Sequence, residues 1–177
     1  MAFTRRTFIK AGAIGASALV AAGAYETWRL RRCAAGDQGA LSPAGRALFA
    51  AVLPAFLDGV VLPSAWTPAL MATALDGVER TVAALSPAAR AELHQLFCLL
   101  DQRAVRFALT GVWSEWRSVD VATAKRFLER WRFGRQAMLT SAYQGLHDIC
   151  YGSWYANPSS WPMTGYPGPP NILGSAA

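Results

Sequence analysis

The chain has 177 residues, 53% of them hydrophobic and 16% charged, with 17 Lys and Arg against 11 Asp and Glu for a formal charge of +6. That length fits about one domain, and the balance of apolar to charged residues is globular rather than disordered. No Gly period, long heptad run or second long apolar segment occurs, which excludes collagen, a coiled coil and a polytopic membrane protein.

Residues 4–10 read Thr-Arg-Arg-Thr-Phe-Ile-Lys, and an uncharged stretch from Ala11 to Ala24 follows. A basic start and then a weakly apolar segment is the order of a secretory signal. The pair Arg5-Arg6, with Phe8, Ile9 and Lys10 after it, resembles the bacterial twin-arginine signal. The resemblance implies export of an already folded protein through the twin-arginine translocase. Ala22-Gly23-Ala24 supplies a small-x-small cleavage site. The uncharged segment falls short of the roughly 20 residues that span a bilayer. Residues 1–24 are therefore expected to be a signal peptide rather than an anchor, although an uncleaved leader would tether the chain. Without Arg5, Arg6 and Lys10 the balance is 14 basic against 11 acidic residues, or +3, which weakens any nucleic-acid reading.

Residues 25–41 carry Gly36, Asp37, Gln38 and Gly39 without periodicity and read as a linker. The helical domain is expected over 42–150. Ser42-Pro43, Thr67-Pro68 and Ser86-Pro87 each place a hydroxyl N-cap before a first-turn proline. After Ser42 the stripe Leu48, Phe49, Val52, Leu53, Phe56, Leu57 and Val60 has helical spacing, with Pro54 expected to kink or split it. After Thr67 come Leu70, Met71, Ala74, Leu75, Val78 and Val82. A third helix presents Leu93, Leu96, Phe97, Leu100, Ala104 and Phe107 on one face, with Glu92, Arg103 and Arg106 off it and a break at Thr110-Gly111. Ser118 is the expected cap of the next helix, where Ala124, Phe127, Leu128, Trp131 and Met138 share a side. The pattern then runs to about Cys150, with an interruption at Gly134. No alternating β-branched run signals a sheet. The expected fold is all-α, a small helical bundle with an extended Pro/aromatic C-terminal arm.

That arm is 151–177. Between Tyr151 and Pro170 it holds Tyr151, Trp154, Tyr155, Trp161 and Tyr166 beside Pro158, Pro162, Pro167, Pro169 and Pro170, and no charge. Proline opposes a regular helix, while disorder normally goes with polar composition. Such an arm is expected to lie on something, either its own bundle or another protein, since Trp and Tyr are favoured interface anchors.

The search for chemistry is mostly empty. The chain has neither a phosphate loop after a strand nor any Cys-x-x-Cys. His94 and His147 are the only histidines; His94 lies beside an apolar stripe and reads as a packed side chain. His147 and Asp148 are neighbours about 100° apart on a helix, so no ready acid–base pair is expected. No metal ligand set has suitable spacing, and Ser141 lacks a nucleophile elbow. From Arg117 to Arg135, six basic residues (Arg117, Lys125, Arg126, Arg130, Arg132, Arg135) meet two acids, Asp120 and Glu129, with Trp113, Trp116, Trp131 and Phe133 interleaved. That mixture can stack bases over a phosphate-binding face, but an acidic partner surface or anionic lipid headgroups fit an exported chain better.

The C-terminal run Phe127, Leu128, Arg130, Trp131, then Ala142, Tyr143, Leu146, then Cys150, Tyr151, Trp154, Tyr155, then Trp161, Pro162 and Gly165 to Pro170, with the leader, resembles the gluconate 2-dehydrogenase subunit 3 family. The likeness covers roughly 42–170 and is strongest after Gly111. It implies a small non-catalytic subunit with no cofactor of its own. Its partner would be an FAD-dependent catalytic subunit of the glucose–methanol–choline type, in some complexes joined by a multihaem cytochrome c. The expected location is the periplasm, at the periplasmic face of the inner membrane, and the partner would be exported on this chain's leader. The resemblance favours partner docking for the arm. A free-standing periplasmic ligand carrier or small enzyme, using a groove under the arm, is the alternative.

Cys33, Cys98 and Cys150 are an odd number for an exported protein. Cys98 sits in an apolar run and Cys33 in the linker. Cys150, at the expected junction of helix and arm, is the candidate for an intersubunit disulfide, with Trp154, Tyr155, Trp161, Tyr166, Pro167 and Gly168 as docking residues. The alternatives are a Cys98–Cys150 pair within the bundle and a simply packed Cys150.

Overall fold

A computed structural model describes residues 41–168, which form seven α-helices and three short 3-10 turns. Apart from one bridge between Asp58 and Val61, no strand pairing occurs among the described residues. The chain is all-α, as its patterning predicts. No described helix is long and apolar enough to cross a membrane.

All three hydroxyl-proline starts form. Ser42 Oγ accepts from the Gly45 amide at 3.1 Å and opens α1, Pro43–Phe56. Thr67 Oγ1 accepts from Leu70 at 3.1 Å and opens α2, Pro68–Ala84. Ser86 Oγ accepts from Ala89 at 3.3 Å and opens α3, Pro87–Asp101. Each hydroxyl satisfies one amide that the first turn leaves without a partner. Pro54 does not split α1: it falls in the last turn, and the helix ends two residues later. Leu48, Phe49, Val52, Leu53, Phe56 and Leu57 are buried as the stripe predicts.

The third helix departs from its expected course. It stops at Asp101, Gln102 turns extended at φ −75° and ψ 118°, and α4 restarts at Arg103–Thr110. The break resets the helical phase. Arg106, expected off the face, is 3% exposed, whereas Phe107 and Ala104, expected on it, face solvent. The Arg106 guanidinium caps the end of α3, with Nη1 donating to the carbonyls of Leu100 and Asp101, both at 3.2 Å. These are last-turn carbonyls that lack helical partners, where a cation is favourable. Gly111, at φ +70°, then closes α4 in a left-handed cap.

A 3-10 turn at Trp116–Ser118 leads to α5, Val121–Phe133. Asp120, not Ser118, caps α5: its Oδ1 accepts from the Thr123 amide at 2.7 Å, and Ser118 instead donates to Glu115 O at 2.9 Å. That amide bond holds the Asp120 carboxyl below its ordinary value. After an interruption at Gly134–Gln136, α6 runs over Ala137–Tyr155. Turns at Pro63–Ala65 and Pro158–Ser160 and a single-turn α7, Trp161–Thr164, complete the described chain.

Helix α1 is the hub, packed against α2, α3, α5 and α6, while α2 also packs on α6. At Gly45 an added Cβ would meet the Phe97 ring at 2.6 Å, so this glycine sets the approach of α1 to α3. Phe49–Phe97, Trp116–Phe127 and Phe127–Trp131 make ring contacts at 5.7, 5.7 and 5.5 Å. The buried indoles of Trp116 and Trp131 donate to Leu100 O at 3.2 Å and Leu109 O at 2.9 Å. Burying each such large side chain contributes about 2 kcal/mol or more. These two tryptophans are core, which takes them out of any base-stacking surface.

Candidate partner-docking surface

The buried stripe of α6 (Tyr143, Leu146, Ile149, Cys150, Ser153 and Trp154) keeps helical spacing past Cys150. Packing therefore carries the helix to Tyr155, five residues beyond its expected end, and the arm does not begin at 151. Cys150 is wholly buried inside α6 and is a free thiol, so it forms no pair with Cys98, which is half-buried. Burial pushes the Cys150 thiol far up. An intersubunit disulfide through Cys150 does not suit this fold, because a partner thiol would reach it only through an opened core. Trp154, expected as a docking anchor, is likewise core, against Trp66 at 5.9 Å, and its buried Nε1 has no hydrogen-bond partner.

Beyond Tyr155 the chain hooks back on the end of α6. Pro158 and Pro162 occupy first-turn positions, where a missing N–H is harmless, so they start short helices rather than break one. The buried Ser160 hydroxyl donates to Trp154 O at 2.7 Å. Trp161 is the keel of the hook. Its Nε1 donates to Tyr155 O at 3.0 Å, and Tyr166 meets its ring edge-on at 5.4 Å. Gly168, at φ +98°, lies so close that a Cβ would stand 3.0 Å from the ring. Tyr155, Met163, Tyr166 and Pro167 remain exposed. Of the expected docking residues, the fold thus presents Tyr155, Tyr166 and Pro167, builds them on Trp161 and Gly168, and withdraws Cys150 and Trp154. Met163, inside the single turn of α7, joins them, and no sequence signal marks it.

A second feature lies along α6. Tyr143, His147, Tyr151 and Tyr155 recur every fourth residue and so share one face. Their rings form a column with centroid spacings of 5.9, 4.5 and 5.9 Å. Phe56 abuts the column, 5.8 Å from His147, and its carbonyl accepts from the Tyr151 hydroxyl at 2.7 Å. Burial raises the Tyr151 phenol above its ordinary value. Beside the column is a groove of about 350 Å³ lined by Phe56, Lys125, Glu129, Arg132, Tyr143 and His147, among others. His147 Nδ1 lies 3.1 Å from Asp148 Oδ1. The pair therefore forms despite its angular separation, because the exposed Asp148 side chain can turn toward the half-buried His147. Ser141 lies six residues before His147, about 240° around the helix, and is not brought to it. His94 is buried edge-on to Phe97 at 5.9 Å with Nε2 unpartnered, a core histidine. Among the described residues, no group of three or more His, Cys, Asp and Glu could hold a metal ion.

The basic run is partly spent on the fold. Lys125 pairs with Asp58, Arg130 donates to Thr110 O, and Arg126 donates to Thr123 Oγ1 at 2.6 Å. Arg5, Arg6, Phe8, Ile9, Lys10, Ala22, Ala24 and Cys33 lie outside the described residues. Compared with models of known families, with curated proteins and with solved structures, the chain finds no match.

Proposed function

We propose that this chain is the non-catalytic small subunit of a periplasmic FAD-dependent sugar or alcohol dehydrogenase. It carries the folded catalytic subunit through the twin-arginine pathway and stabilises it. The observation that carries this reading is the hook. The segment holding the family-like Trp-Pro and Gly-Tyr-Pro-Gly sequence is built in advance around Trp161, and it presents Tyr155, Met163, Tyr166 and Pro167 with no charge among them. A preorganised aromatic surface loses little entropy on docking, and aromatic residues are enriched at protein interfaces while charges are depleted from their cores. Flavin belongs to the catalytic subunit, and haem to a cytochrome c subunit where one is present. The free-standing alternative rests on the groove at His147.

Export tests the reading. Arg5→Lys with Arg6→Lys should hold both this chain and its flavoprotein partner in the cytoplasm. Normal periplasmic dehydrogenase activity in the double variant would overturn the shared-leader role. Normal export of this chain alone would overturn the twin-arginine reading.

A further inference from the structure

The ends of α4 and α5 meet on a face apart from the hook that adjoins the groove, Glu129 lining both. Arg130 donates to Thr110 O and its guanidinium covers Gly111, which ties the two ends together. Around that junction is an open depression of about 710 Å³ lined by Gly111, Arg126, Glu129, Arg130, Phe133 and Gly134. Phe107 and Trp113 stand on the α4 side, in edge contact at 5.5 Å, and Phe133 stands on the α5 side. All three are well exposed, at 51, 57 and 74%. Each side pairs a ring with a guanidinium: Arg103 lies 5.8 Å from the Trp113 centroid and Arg132 lies 5.0 Å from that of Phe133.

We propose that this face docks on anionic phospholipid at a membrane surface. A protein partner would want an apolar centre with charges kept to the rim. Here guanidinium groups lie beside the Trp113 and Phe133 rings and on the lining itself, so the apolar surface is broken up by positive charge. Arginine interleaved with Trp and Phe on a shallow surface suits the headgroup region, where rings enter the interface and cations meet phosphate. The positive charge attracts the phosphate of an anionic headgroup. Glu129 is the one carboxylate on the lining, against Arg126 and Arg130; Arg132 stands beside Phe133, and Arg103, beside Trp113, shares a neighbouring hollow with Asp101 and Glu115. The inference stands whether or not the chain serves a dehydrogenase.

The test uses the full chain with phosphatidylcholine vesicles carrying brominated acyl chains, with and without phosphatidylglycerol. The readout is the Trp113 signal, wild type minus Trp113→Phe, which reports this face whatever other segments do. Trp113 should be quenched on the phosphatidylglycerol vesicles, and high salt should abolish the quenching. In Arg126→Ser/Arg132→Ser the lipid concentration at half-quenching should rise about thirtyfold, whereas Arg126→Lys/Arg132→Lys should stay near wild type. Circular dichroism checks the fold of each variant, and the salt series on the wild type decides if the serine variant misfolds. Trp113 unquenched on anionic vesicles, or quenched equally on both kinds, would overturn the proposal. So would capture of an acidic protein on this face while Trp113 stays unquenched.

Discussion

Arg103 and Arg106 would both be solvated on an unbroken helix, and the break at Gln102 makes them different. Arg106 is buried, donates at 3.2 Å to Leu100 O and Asp101 O and at 3.4 Å to Trp113 O, and lies 5.7 Å from the Trp116 ring centroid. Its Nε is buried without a hydrogen-bond partner, which subtracts from the gain. Hydrogen bonds from a charged donor are worth about 1.5–3 kcal/mol each, and stranding a buried carbonyl costs about 1–3 kcal/mol. Leu100 O keeps the Trp116 indole when Arg106 is removed, so Asp101 O and Trp113 O lose most. Arg106→Leu should then destabilise the fold by about 3 kcal/mol, which for a domain of this size lowers Tm by roughly 10 °C. Arg103→Leu and Phe107→Ala, at exposed positions, should each cost under about 1 kcal/mol. Urea titrations followed by circular dichroism would measure all three. An Arg106→Leu shift no larger than that of Arg103→Leu, or a Phe107→Ala loss near 3 kcal/mol, would refute the phase reset.

Gly45→Ala should cost about 1–3 kcal/mol in the same titration, because its Cβ would stand 2.6 Å from the Phe97 ring. Cys150 should react with a thiol reagent only on unfolding. Its folded value lies above the ordinary 9.0, so the thiol is neutral in both the folded and the unfolded chain well below pH 9. Above that only the unfolded chain ionises, and stability should fall with pH by about 1.4 kcal/mol per unit, a slope that Cys150→Ala removes. Trp161→Ala should leave the melting of the bundle nearly unchanged but expose the chain beyond Tyr155 to limited proteolysis. Asp120→Ala should speed hydrogen exchange at the Thr123 amide, and Ser118→Ala should not.

The helix starts were legible because a hydroxyl followed by proline has a local meaning that packing does not reverse. The apolar stripe of α1 was legible for a similar reason: the hub helix is buried over most of its girth, so nearly any helical phase predicts it. The break at Gln102 was not legible, since no Gly or Pro marks it. It is held by side chains further along the chain, the Arg106 guanidinium and the more remote Trp116 indole. Asp120 and Ser118 are equally good caps by type, and only the burial of Ala124 and Phe127 on α5 decides between them. Spacing, not aromatic and proline composition, sets the end of α6. Leu146, Cys150 and Trp154 are four residues apart, and that signal placed Cys150 in the core. Of the candidate docking surface, the sequence marks Tyr155, Tyr166 and Pro167, but which aromatics support and which protrude depends on how the chain hooks at Trp161.

The most direct measurement is to tag this chain in its native cell, purify it from the periplasmic fraction, and record the absorption spectrum and subunit masses. If it is a dehydrogenase small subunit, it should arrive in equal amounts with a larger flavin-bearing chain, and truncation after Tyr155 should release that chain. Recovery of the tagged protein alone, with its own substrate turnover or with no partner at any salt concentration, would contradict the proposal.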